Sequence, residues 1–170
     1  MTRTQKLSRR SILLGGGALG IGLVGGAGRA HAFVETSPSD VNVDAQGLAL
    51  RGHDPVAYQT QGRQVQGQAQ FTATHQGATY HFASAANRDS FRADPARYAA
   101  AYGGFCAMGV AMGMKLDGDP ALFRVVDNRL YLNVSAPVQQ RWIQDIPGHI
   151  GTANERWPQL LGKAPRELNG

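Results

Sequence analysis

Apolar and polar residues alternate most clearly in "FTATHQGATYHFAS", residues 71–84. Two alternating segments flank Gln76-Gly77, which predicts a hairpin with a tight turn, because glycine takes positive φ without strain. Tyr80 and Phe82 share one face of the second strand, and His81 points to the other with Thr79 and Ala83. Ser84 stands where an N-cap belongs, ahead of "AANRDSF" as a helix. Asp94-Pro95 closes that helix and opens the next, "PARYAAAY", which Gly103-Gly104 ends. A second alternating run, "FRVVDNRLYLN", predicts a second hairpin turning at Asp127-Asn128. After Ser135, Val138, Trp142, Ile146, Ile150, Ala153 and Trp157 recur at helical spacing. Pro147-Gly148 should kink or split that helix.

The N-terminal side is less periodic. Residues 33–47 predict an ordered arm or a linker, "LALRGHDPVAY" turns at Pro55, and "QTQGRQVQGQAQF" reads as a hairpin edge with polar loops. No internal repeat is evident. Strands, small helices, a hairpin and then helix make an α+β fold in one domain, residues 48–158, with a tail at 159–170.

Charge changes the picture by its placement. The chain has 17 basic and 12 acidic residues in 170 and a net charge of +5. Arg3, Lys6, Arg9, Arg10 and Arg29 account for the excess, since residues 1–32 hold no acidic residue. A basic start ending in "SRRSILL", an uncharged glycine-rich run and "RAHA" before Phe33 predict a twin-arginine export signal cleaved after Ala32. An uncleaved anchor is the competing expectation. The export reading places the mature chain in the periplasm, electrically balanced. That gives no electrostatic case for nucleic acid or for strong membrane association once the signal is removed.

"AYGGFCAMGVAMGMK", residues 101–115, holds the chain's one cysteine and three of its four methionines. Cys106 reads as a reactive thiolate, a soft-metal ligand or a small buried residue. "CAMGVAMG" could start a helix and set Cys106 near its positive end. Met108, Met112 and Met114 supply soft sulfur of the kind that selects Cu(I), or they fill space under a glycine-rich loop. His75 and His149 look solvent-facing, and Asp54 reads as a cap for the turn after it. No nucleophile elbow, metal-protease motif or phosphate loop is present.

The block "RGHDPVAY…F…GATYHFASAANRDSFRADPARY…YGGFCA" resembles the YHS-domain proteins. More narrowly, it looks like a small exported subgroup with a Gly-Gly-aromatic-Cys-Ala segment, a "DP…F.VVD..LYLN" hairpin and a tryptophan-containing tail. The likeness runs from about Leu48 to Pro158. It implies a small YHS-type (TRASH-like) core, a heavy-metal-binding class in which cysteines hold the ion. Those cysteine positions fall on Ala57, Ala83 and Asn87, none of which suits a soft ion. The resemblance leaves Cys106 as the anchor of a metal site, copper before zinc, with His53, His81 and Met108 as further ligands. The expected partner is accordingly a metal ion or a small ligand. A thiol-redox protein using Cys106, and a non-catalytic interaction module with an inert buried cysteine, are the alternatives.

Overall fold

The computed structural model describes residues 33–170. The expected signal and its cleavage after Ala32 lie outside the described residues.

Each hairpin follows from its turn. β1 (Gln68–His75) and β2 (Ala78–Phe82) pair antiparallel with His75 opposite Ala78. Gln76 and Gly77 form the loop at φ 50° and 77°. β3 (Asp119–Val126) and β4 (Arg129–Asn133) pair in the same way, Val126 opposite Arg129, around Asp127 and Asn128 at φ 47° and 58°. Positive φ at both loop residues gives the turn whose twist matches that of the flanking strands. The hairpins are separate two-stranded sheets. Such ribbons are marginal alone, so each is held by the helices packed on it.

Those helices are α1 (Pro55–Thr60), α2 (Ala85–Ala93), α3 (Pro95–Tyr98), α4 (Ala107–Ala111), α5 (Ala136–Trp142), α6 (Ile146–Leu160) and α7 (Pro165–Asn169). Ser84 caps α2 by accepting from Asn87 N. Ser135 holds the same place before α5 but makes no capping side-chain bond. The predicted kink falls a turn earlier than expected. A 3-10 turn, Ile143–Asp145, follows α5, and α6 restarts with Asp145 accepting from Gly148 N. Pro147 therefore sits in a first turn, where its missing N–H is no loss. The glutamine-rich stretch divides: its start finishes α1 and its end enters β1. The N-terminal arm is ordered, with Val41 buried and Asn42 N bonded to Gly103 O at 2.9 Å.

The structure also reveals a duplication that the sequence reading missed. Residues 50–97 and 102–148 follow one path. Both begin with a left-handed run: φ is 52°, 51° and 77° at Leu50, Arg51 and Gly52, and 54°, 62° and 87° at Tyr102, Gly103 and Gly104. Next comes a capped short helix, α1 or α4. Then come strands of 8 and 5 residues, each pair with a register shift at the matching place, Gln68/Thr72 and Asp119/Phe123. Gly67 and Gly118 are matched too. A Cβ at Gly67 would strike His81, and one at Gly118 would strike Leu132 and the Gly104 carbonyl. Asp94 and Asp145 end the pattern with φ/ψ of −148°/77° and −149°/71°, each capping the helix after it.

Each half has its own core. The first is built on Val56, Tyr80, Phe82 and Phe91, the second on Phe105, Cys106, Val110, Tyr131 and Trp142. Leu50, Tyr58, Ala100, Leu130 and Leu132 join the halves. There the Tyr58 hydroxyl donates to Pro120 O at 3.0 Å, and its ring meets Phe123 edge-on at 4.8 Å.

Candidate functional site

Asp54 and Cys106 are the same residue of the two halves. Both are 0% exposed, and both cap the short helix that follows. Asp54 Oδ1 accepts from Val56 N at 2.8 Å and Ala57 N at 3.4 Å. Its Oδ2 accepts from Ala83 N at 2.8 Å and Asn87 Nδ2 at 2.6 Å. One carboxylate thus ties α1, the end of β2 and the start of α2. The positions where the resemblance sets cysteines, Ala57, Ala83 and Asn87, are three of its four donors. A hydrogen-bonded carboxylate stands where a metal would cross-link the same three segments, and every acceptor site facing them is used.

Cys106 repeats this pattern with sulfur. Its Sγ accepts from Gly109 N at 3.4 Å and lies 3.8 Å from Asn133 Oδ1, to which the thiol donates. Burial pushes the thiol pKa up, while hydrogen bonds from the backbone of Gly109, Val134 and Met108 pull it the other way. Met108, Gly109 and Val134 are the counterparts of Val56, Ala57 and Ala83, so the sulfur sits in the cradle that holds the carboxylate in the first half. Asn87 has Val138 as its counterpart, and the fourth donor is missing. Asn133 Nδ2 is buried nearby with no partner.

The duplication explains why the expected ligands do not converge. His53 and His81 belong to the first half, at the places that Phe105 and Leu132 fill in the second. His53 Nδ1 lies 2.9 Å from Leu50 O, and its backbone bridges Gln66. His81 lies on β2 opposite Thr72, with Gly67 against its backbone. Met108 is buried in the first turn of α4, two residues beyond Cys106. Met112 is 54% exposed and so cannot belong to the same core turn. Among the described residues no three His, Cys, Asp or Glu side chains group to hold a metal ion. No described helix is long and apolar enough to cross a membrane.

Lys115, nine residues beyond Cys106, is a fully buried charge. Its Nζ donates to Asp40 Oδ1 at 3.0 Å, Ser39 O at 3.3 Å and Lys163 O at 2.8 Å. It also lies 5.3 Å from the Phe105 ring centre and 5.5 Å from that of Trp157. This ammonium pins the arm to the end of α6, so it is a strut and not an activator of the thiol. The glycines on either side, Gly113 and Gly118, give no sequence hint of its burial.

A paired ribbon, a capped short helix and a buried capping side chain define a small α+β unit with a cross-linking centre. A YHS domain is found at residues 56–102, which covers most of the first half and ends at the first residue of the second. No curated protein and no solved structure matches the chain.

Proposed function

We propose that this protein is a non-catalytic binding module of YHS type, exported to the periplasm by a twin-arginine signal cleaved after Ala32. The observation that carries the reading is the equivalence of Cys106 with Asp54. Both side chains are fully buried and tie the short helix to the end of the second strand of the hairpin, so the thiol acts as a fold-securing cap. A nucleophile or redox thiol needs access and a depressed pKa, whereas burial acts on Cys106 in the opposite sense. In the native protein, Cys106 should react with a disulfide reagent far more slowly than in the urea-unfolded chain. Equal rates in the two states would overturn this reading and favour the redox alternative.

A second reading is soft-metal handling, copper before zinc. It draws support from the association of the YHS family with metal binding. It also draws on Met108, a thioether buried on the same turn as the thiol, since thiolate and thioether together suit Cu(I). Cys106 would be the anchor, and His53 and His81 would need to approach from the other half. Titration with Cu(I) against a chromogenic chelator distinguishes the readings. Stoichiometric Cu(I) uptake that protects the thiol, lost in Cys106→Ser, would establish the metal reading over the first.

A further inference from the structure

The reading as a binding module leaves open what is bound, and the junction of the halves offers an answer. An open groove of about 690 Å³ runs along the left-handed turn at Tyr102 and Gly103. Its walls come from both halves: His75 and Gln76 at the tip of the first hairpin, Arg129 at the tip of the second, and Trp157 and Leu161 from the C-terminal helix. The volume is in the range of small-molecule sites, which favour such junctions.

The charge facing the groove is positive and unspent. Asp40, the carboxylate in the wall, is already engaged by Lys115 Nζ at 3.0 Å and Gly162 N at 2.8 Å. Arg129 is exposed, and among the described residues its side chain makes no ion pair or hydrogen bond. Its side chain lines the groove; burial raises the Tyr102 pKa and the Arg129 guanidinium pulls it the other way. Apolar surface lies beside it. Trp157 is half-buried and packs at 60° on the buried Tyr102 ring, 5.8 Å between centres, and Leu161 is 45% exposed.

The floor is held in an unfavourable shape. Tyr102 is a bulky residue at φ 54°, a conformation that persists where surrounding structure enforces it and that gathers at binding sites. The Asn42 N to Gly103 O bond at 2.9 Å and the Tyr102 hydroxyl to Asn154 Oδ1 bond at 2.9 Å enforce it here. A side chain at position 103 would strike the Asp40 carbonyl. The wall that carries the aromatic rings is thus fixed before any ligand arrives.

We infer that this groove binds a small aromatic carboxylate, with the carboxylate on Arg129 and the ring against Trp157 and Leu161. A planar guanidinium favours the two-oxygen geometry of a carboxylate, and the aromatic wall supplies the apolar contact. The inference rests on the binding-module reading but uses no feature of Cys106, so the two fail separately.

Phenylacetate and its neutral analogue phenylacetamide are suitable probes for the mature protein, followed by titration calorimetry and by tryptophan fluorescence in a Trp142→Phe background that isolates Trp157. Phenylacetate should bind saturably and change the fluorescence. Phenylacetamide, and phenylacetate with Arg129→Gln, should each bind at least about tenfold more weakly. Arg129 is exposed, so the substitution leaves folding intact, checked by an unchanged unfolding midpoint. Equal binding of acid and amide, indifference to Arg129→Gln, or no saturable signal would each overturn the inference, whatever the thiol-labelling result.

Discussion

The two halves share a backbone path and differ in the group at its centre, a carboxylate in one and a thiol in the other. The carboxylate is saturated by four donors, among them the Asn87 side chain. The thiol accepts only from backbone groups, donates to Asn133 Oδ1 and leaves Asn133 Nδ2 without a partner. A charge can be buried at the first centre because every lone pair facing the protein is used. The second centre keeps a neutral group, because its cradle is one donor short. The two cores follow suit. The first is closed by a polar knot, whereas the second is larger and aromatic and is braced from outside by Lys115.

Removal of the knot is the severest test of this contrast. Asp54→Ala leaves several buried N–H groups unpaired at once and should cost about 4 kcal/mol, a large part of the stability of a domain this size. Urea unfolding followed by tryptophan fluorescence would measure it. Asp54→Asn keeps one acceptor but turns an amide donor toward Ala83 N or Asn87 Nδ2, and should fall between the alanine variant and wild type. A loss below about 1 kcal/mol for alanine would mean that the carboxylate is not the cross-link of the first half.

Lys115 tests the external brace of the second half. Its nearest counterparts in the first half lie in an exposed turn, where Arg63 bonds to Gln61 Oε1 at 2.9 Å. Lys115→Met keeps the stem's packing but releases Asp40, two carbonyls and two ring contacts, and should cost about 2 kcal/mol. The same denaturation measurement applies. Limited proteolysis should also find the arm near Ser39 newly susceptible, an effect that Asp54→Ala should not produce as selectively.

Most of this fold was legible in the sequence, and the reasons are local. Gln76-Gly77 and Asp127-Asn128 announce their turns because few residues accept positive φ. Ser84, Asp94 and Asp54 announce caps because short oxygen-bearing side chains satisfy helix N-termini. The α+β class and the placing of Cys106 before a helix follow from such signals. The duplication was hidden because backbone shape, not side-chain identity, is what the halves share. Matched residues are alike at little more than Gly52/Gly104, Gly67/Gly118, Tyr80/Tyr131, Ser84/Ser135 and Asp94/Asp145. Phe91 and Trp142 fill corresponding places with different rings, and Asp54 and Cys106 cap corresponding helices with different chemistry. The groove was illegible for another reason. His75, Arg129 and Trp157 are distant in sequence and meet because the halves are joined.

The smallest expected effect lies at the thiol itself and carries a definite sign. Cys106→Ser should cost about 1 kcal/mol, since hydroxyl and thiol accept the same backbone donors but differ in size. The pH dependence is more telling. Burial raises the thiol pKa above its ordinary value of 9.0 in the folded chain. The folded state therefore holds the proton more tightly than the unfolded one. The stability this contributes is fully present below about pH 9 and is lost as pH rises toward the folded value. Tyr58, Tyr80 and Tyr102, also raised by burial, add losses of the same sign only above their ordinary value of 10.0. Between pH 9 and 10 wild type should thus lose stability while Cys106→Ser stays nearly level, read as unfolding midpoints in a pH series. A thiol already ionised in the folded protein would reverse this difference, placing the wild-type loss on the acid side of pH 9, and Cys106 would then have to be counted as a reactive centre instead of the neutral counterpart of Asp54.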